Sequence, residues 1–131
     1  VRIYNDNNAT EPNATIAGLK ALDLGNKNII LIAGGADKGV DLTPLAQAIG
    51  DHCKRVILTP GSGTDKLLTQ LGKSSTIDCT NVLDLTAAVA AAKQGSENGD
   101  IILFSPAFAS FAQYKNEYER NDEFMQLVNS L

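Results

Sequence analysis

Asn28-Ile29-Ile30-Leu31-Ile32-Ala33-Gly34-Gly35-Ala36-Asp37-Lys38-Gly39 is the stretch that decides the fold. Its aliphatic run has no polar alternation, so a strand built from it is covered on both faces, the situation of a central strand in a parallel sheet. Ile101-Ile102-Leu103-Phe104 repeats the pattern far downstream. Working outward, Val1 to Tyr4, Arg55 to Thr59 and Ser75 to Cys79 read as further strands, the two apolar runs extend over Asn28 to Ala33 and Asp100 to Phe104, and helical patterns lie between them. Strands that alternate with helices define α/β architecture.

The helices carry their own start and stop signals. Thr43-Pro44 reads as a cap followed by a first-turn proline, Leu45, Ala46 and Ile49 share a face, and Gly50 reads as the stop. Thr64 to Leu71, closed by Gly72, repeats the pattern with Leu67, Leu68 and Leu71. Leu85 to Lys93 is alanine-rich, predicts close packing on the sheet, and ends at Gly95. Lys115 to Leu131 predicts a charged amphipathic helix with Tyr118, Phe124, Leu127 and Leu131 on its buried side.

A chain of 131 residues forms one domain, whose core buries roughly two thirds of the unfolded surface without disulfides or metal. Eleven Lys and Arg against fifteen Asp and Glu give a net charge of −4. That balance argues against nucleic acid or an anionic membrane surface as partner, since both demand a basic face. No apolar run approaches the roughly 20 residues of a membrane span, and the amino terminus lacks a signal-peptide pattern. A soluble, cytoplasmic protein, acting as a monomer, is expected. The chain opens at Val1 and enters a strand-like run almost at once, so the expectation is a piece of a longer protein.

Ligands of open α/β sheets bind beyond the carboxyl ends of the strands. Three post-strand loops are therefore of interest: Asn5-Asp6-Asn7-Asn8-Ala9-Thr10, Gly34-Gly35-Ala36-Asp37-Lys38-Gly39, and Ser105-Pro106-Ala107-Phe108-Ala109-Ser110. A glycine pair after a buried strand turns the backbone sharply, and Lys38 projects a cation over that turn. The spacing is neither that of the phosphate-binding loop nor that of the dinucleotide fingerprint, and standing alone it fits a solvated turn at least as well. Ser110 fits a helix cap as readily as an anion ligand, and Thr10 and Asp6 are ordinary turn residues. Their convergence, hydroxyls and one cation each at a strand's carboxyl end, is what suggests a small anionic-ligand site.

The remaining polar candidates read as structural. His52 is the only histidine and reads as a satisfied or solvated imidazole. Cys53 and Cys79 are too few for a zinc pattern and read as buried thiols in a reducing compartment. The Asn-x-Thr triplets at Asn8 and Asn13 read as coincidence.

Taken together, the three loops resemble the C-terminal domain of the Mur ligases, and most closely the branch that adds D-glutamate. The matching stretches are Asn5-Asp6 through Ala9-Thr10, then Gly34-Gly35-x-Asp37-Lys38-Gly39-x-Asp41-x-x-Pro44-Leu45. The last is Leu103-x-Ser105-Pro106-Ala107-x-Ala109-Ser110-x-x-Gln113-Tyr114-Lys115-Asn116, running on through Glu119-Arg120 to Phe124. The resemblance spans essentially the whole chain, residues 1–131, as a single amino-acid-binding domain. It implies a Rossmann-like three-layer fold with a mostly parallel sheet of about six strands flanked by helices.

The resemblance also implies chemistry. In such ligases ATP phosphorylates the carboxylate of UDP-N-acetylmuramoyl-L-alanine, and the amine of D-glutamate attacks the acyl phosphate. The UDP-binding and ATPase domains of the family, with the phosphate loop and magnesium ligands, lie outside this sequence, so ATP and Mg2+ are expected to be held mainly there and no cofactor tightly by this chain. Thr10, Lys38, Ser110, Phe111 and Tyr118 match D-glutamate-binding positions, with Tyr118 where the family usually has Phe. Asp6 matches a nucleotide-ribose contact, and Asn8 stands in the nucleotide loop where the family commonly has lysine. These residues bind and position; none is expected to be catalytic, and none to ligate metal. The other readings are a free-standing α/β module for a small anionic metabolite or nucleotide, and a folylpolyglutamate-type ligase with another substrate.

Overall fold

The computed structural model describes residues 1–73, the backbone of 74, 77–110, 114 and 116–131. Five strands, β1 Arg2–Asn5, β2 Ile29–Ala33, β3 Cys53–Leu58, β4 Asp78–Asn81 and β5 Ile101–Phe104, alternate with α1 Pro12–Leu22, α2 Thr43–His52, α3 Ser62–Ser74, α4 Leu85–Gln94 and α5 Glu117–Asn129. The strands form one sheet in the order β1-β5-β2-β3-β4. Every pairing is parallel, with Ile29 to Ile32 facing Ile101 to Phe104 across the centre.

The unbroken aliphatic run of β2 is explained by its position, because all five of its residues are buried. Ile29, Leu31 and Ala33 pack with Leu19 of α1, Leu45 and Ile49 of α2, and Leu67 and Leu71 of α3. Ile30 and Ile32 point the other way, onto Leu85, Ala88, Val89 and Ala92 of α4 and Phe124 of α5. The result is three layers with a core on each side of the sheet. A fully buried Ile or Leu in such a layer contributes about 1.5–3 kcal/mol.

Strand order positions the site. The chain leaves β1 and β2 toward the face that carries α1 and α2, yet leaves β5, which lies between them, toward the face that carries α5. Helices departing to opposite faces open a crevice at the carboxyl ends of these strands, the switch point at which α/β sheets bind ligands.

The departures from expectation have local causes. The sheet has five strands among the described residues rather than about six, and the only further pairing is an isolated antiparallel bridge between Ala36 and Ala109. Gly50 and Gly72 stop nothing: α2 runs on to His52, whose imidazole pairs with Asp23, and α3 to Ser74, since a glycine inside a helix costs only roughly 1 kcal/mol. Thr43 is the first helical residue rather than the cap, and it is Asp41 that accepts from its N–H (3.0 Å) and hydroxyl (2.8 Å). The expected strand Ser75 to Cys79 lies later, at Asp78–Asn81, and Ser75 and Thr76 fall outside the described residues. In α5 Phe124 is buried as expected, but Tyr118 is 78% exposed, and Leu131, which lies beyond the end of the helix, is 56% exposed.

Candidate functional site

The three polar loops follow β1, β5 and β2, adjacent strands, and are laced together by main-chain hydrogen bonds. Ser105 N–H donates to Ile32 O (3.1 Å), Gly34 N–H to Pro106 O (3.0 Å), Ala36 N–H to Ala109 O (2.9 Å) and Ala107 N–H to Ala9 O (2.9 Å). The glycine pair is required by this closeness. Gly34 and Gly35 have φ of +134° and +147°, and a Cβ would collide with Thr59 O at the first and Ala109 O at the second. Ala107 is buried with φ of +68°, a left-handed conformation uncommon outside glycine.

Thr10 and Lys38 come together in the structure. They line one recess with Pro12, Asp37, Leu42, Ala107 and Phe108. Lys38 is exposed and makes no ion pair among the described residues. Its loop is fixed by its neighbour: Asp37 N–H donates to Ser62 Oγ (3.0 Å), while the Asp37 carboxylate accepts from Gly39 N–H (2.9 Å) and lies 3.4 Å from Lys66 Nζ. The Gly39 N–H and the Lys66 ammonium hold the Asp37 carboxyl below its ordinary range.

Ser110 lies in a second recess with Gly34, Gly35, Thr59, Pro60, Tyr114 and Arg120. It is 3% exposed, and its hydroxyl has no hydrogen-bond partner among the described residues. It does not cap α5, which begins at Glu117 with Asn116 accepting from Glu119 N–H (3.0 Å). A buried hydroxyl left unpaired costs about 1–3 kcal/mol, which an incoming acceptor recovers. The two recesses hold only about 10 and about 20 Å³, too little for either to enclose an amino acid by itself.

On the β1 side Asp6 is held by Ser105, whose buried hydroxyl donates to Asp6 Oδ2 (2.8 Å) and lies 2.9 Å from the hydroxyl of Thr15. Thr15 in turn donates to Ser105 O (3.2 Å). Asn8 is exposed beside it. Tyr118 stands on α5 away from both recesses, and Phe111 lies outside the described residues.

Sequence reading assigned no part to Arg120 or Asn7, both of which are 4% exposed. Arg120 Nε–H donates to Asn7 Oδ1 (2.8 Å), Nη2 to Asn7 O (3.1 Å) and Nη1 to Phe108 O (3.1 Å). Asn7 Nδ2 donates to Glu117 O (2.8 Å). Burial pushes the Arg120 guanidinium down to about 10, partly offset by the charge of Glu117. Arg120 stands in the stretch that carries the resemblance, but an arginine within an amphipathic helix is too common a feature to be given a role from sequence.

Other regions do not converge on the site. A larger cleft of about 1040 Å³ lies at the amino ends of the strands, lined by Lys27, Asp51, Lys54, Lys73 and Asp78 among others. His52 Nδ1 is 2.7 Å from Asp23 Oδ2, the satisfied imidazole expected, and Cys53 is buried. Among the described residues no group of three His, Cys, Asp or Glu could hold a metal ion, and no helix is long and apolar enough to cross a membrane.

A parallel three-layer domain that gathers hydroxyls and a lysine at its switch point belongs to the class of α/β domains that take small ligands beyond the carboxyl ends of their strands. Residues 1–108 match the family described as Mur ligase, glutamate ligase domain, and the chain belongs to the Mur ligase family. It is 40% identical over 131 residues to the UDP-N-acetylmuramoylalanine–D-glutamate ligase of Latilactobacillus sakei, covering 99% of this chain and 28% of that protein. It is 41% identical over 132 residues to the enzyme of the same name from Roseiflexus sp., again covering 99% and 28%. The chain thus spans little more than a quarter of the curated relatives it matches. In fold it is similar to a domain assigned to a UDP-N-acetylmuramate:L-alanyl-gamma-D-glutamyl-medo-diaminopimelate ligase of Haemophilus ducreyi, with a TM-score of 0.61, 16% identity, and coverage of 95% of this chain and 89% of that one.

Proposed function

We propose that this chain is the amino-acid-binding part of an ATP-dependent ligase that joins D-glutamate to UDP-N-acetylmuramoyl-L-alanine in cytoplasmic peptidoglycan precursor synthesis. The observation that carries the reading is the convergence of Thr10 and Lys38 in one recess with the buried, unpartnered hydroxyl of Ser110 in the next, across loops bonded to each other. Glutamate brings two carboxylates, which need a cation and hydroxyl or N–H donors to replace their water. Lys38 supplies the first, Thr10 and Ser110 the second, with Phe111 as a further contact; Tyr118, exposed on α5 away from both recesses, takes no part, and Asp6 and Asn8 face the nucleotide. The names of the relatives supply the substrate.

The chemistry is assigned accordingly. The substrate carboxylate is activated by ATP as an acyl phosphate, the glutamate nitrogen attacks its carbonyl carbon, and phosphate leaves. The residues of this chain hold the amino acid so that its nitrogen faces that carbon. Such positioning is worth up to about 7–11 kcal/mol in a well-organised site. ATP and Mg2+ are handled by the portion of the relatives that this chain does not match.

Two measurements test the proposal. Titration of D-glutamate, followed by backbone amide shifts, is expected to move Thr10, Lys38 and Ser110 and leave the amino-end cleft unmoved; shifts confined to that cleft would overturn it. Lys38→Ala is expected to weaken the response about tenfold or more, the worth of one charged hydrogen bond. The chain alone, given ATP, magnesium, the muramoyl substrate and D-glutamate, is expected to release no ADP, and glutamate-dependent release would count against a purely binding role.

A further inference from the structure

Arg120 is a buried side chain of α5 whose hydrogen bonds reach two of the three site loops at once. Its three donors go to Asn7 Oδ1, Asn7 O and Phe108 O, so one planar group on α5 grips the loop after β1 and the loop after β5. None of these acceptors is a carboxylate. Every Asp and Glu of the chain lies among the described residues, and none forms an ion pair with Arg120. The guanidinium lies 5.9 Å from the centre of the Phe104 ring, which itself stacks on Phe124 at 4.4 Å. Arg120 also lines the recess that holds the unpartnered Ser110 hydroxyl.

A buried arginine that spends its hydrogen bonds on neutral carbonyls has its charge compensated only in part, here by the nearby charge of Glu117, an arrangement that costs stability. Packing alone would be served as well by an apolar side chain of similar size. What the guanidinium adds is geometry: its rigid fork fixes acceptors from distant segments at set distances, which a lysine with its single flexible ammonium does not do. It also adds a fixed positive charge beside the recess.

We propose that Arg120 is the positioning residue of this site, locking the Asn7 and Phe108 loops in one relative geometry and placing a fixed positive charge under the bound amino acid. The electrostatic half of the proposal rests on the amino-acid-binding reading above; the positioning half does not.

Hydrogen exchange and D-glutamate titration on the 131-residue chain separate the two. In Arg120→Lys, which keeps the charge and loses the fork, the amides of Ala9 and Ala107, which bond within and between the two loops, are expected to exchange at least tenfold faster, while those of Ile30 to Ile32 stay within twofold. Exchange that accelerates equally in loops and core, or in neither, overturns the positioning role. Asn7→Ala, which deletes the Oδ1 acceptor together with the Nδ2 bond to Glu117 O and leaves Arg120 in place, is expected to loosen Ala9 and Ala107 about fivefold. That variant decides the matter if Arg120→Lys does not fold, and unchanged exchange in it overturns the proposal. With D-glutamate, Arg120→Lys is expected to bind within threefold to tenfold of the unaltered chain and Arg120→Met more than tenfold weaker still; equal affinity of the two variants overturns the electrostatic role. If the unaltered chain shows no response to D-glutamate, the amino-acid reading fails and the electrostatic role with it, while the exchange result still decides the positioning role.

Discussion

At the residue scale, stability rests on groups whose local chemistry leaves few substitutes. Ala107 is buried at a positive φ among the site loops, where a β-branched side chain has neither the backbone freedom nor the space. Ala107→Val is expected to cost about 1–3 kcal/mol, read from the urea midpoint, with Ala107→Gly close to neutral. Asp23 joins α1 to α2 through His52. The His52 hydrogen bond, the Gly25 N–H and the Lys27 N–H hold its carboxyl below the ordinary value. A carboxyl depressed on folding contributes stability above its unfolded pKa of about 3.9 and loses it as pH falls through the lower folded value. The urea midpoint of the chain is therefore expected to fall below about pH 4, and Asp23→Asn to be less stable at neutral pH with a flatter acid limb. Equal acid limbs in the two proteins would refute the assignment.

At the element scale, α5 matters most, since it carries Arg120 to the site while Phe124 ties it to β5. Phe124 is 1% exposed and stacks on Phe104. Phe124→Ala is expected to cost about 3–5 kcal/mol by urea denaturation. α4 is held at its start by Asp84, whose carboxylate accepts from Ala87 N–H (2.8 Å), and Asp84→Ala is expected to cost about 1 kcal/mol. Elements with strong apolar patterns, β2 and β5 above all, were legible in the sequence because burial on both faces forbids polar alternation. β4 was not, because the edge strand Asp78-Cys79-Thr80-Asn81 has no apolar run to mark it. Gly50 and Gly72 misled because a glycine in a helix costs only roughly 1 kcal/mol, too little by itself to end one.

At the scale of the whole molecule, the site is a product of strand order. Insertion of β5 between β1 and β2 brings loops from the two ends of the chain into hydrogen-bond contact. The candidate ligands Thr10, Lys38 and Ser110 were singled out because each is a polar residue in a loop that follows a strand. Arg120 was not, because its acceptor Asn7 lies 113 residues away and nothing local announces the pairing. The sequence by itself determined a parallel α/β domain, its acidic balance and the residue types at the strand ends, since these follow from periodicity and chain-local chemistry. Only the tertiary structure decided that β5 sits between β1 and β2, that the Ser110 hydroxyl is buried without a partner, and that one arginine holds two loops. Those depend on which distant segments share a crevice, and burial and hydrogen-bond partners are properties of that arrangement rather than of any stretch of sequence.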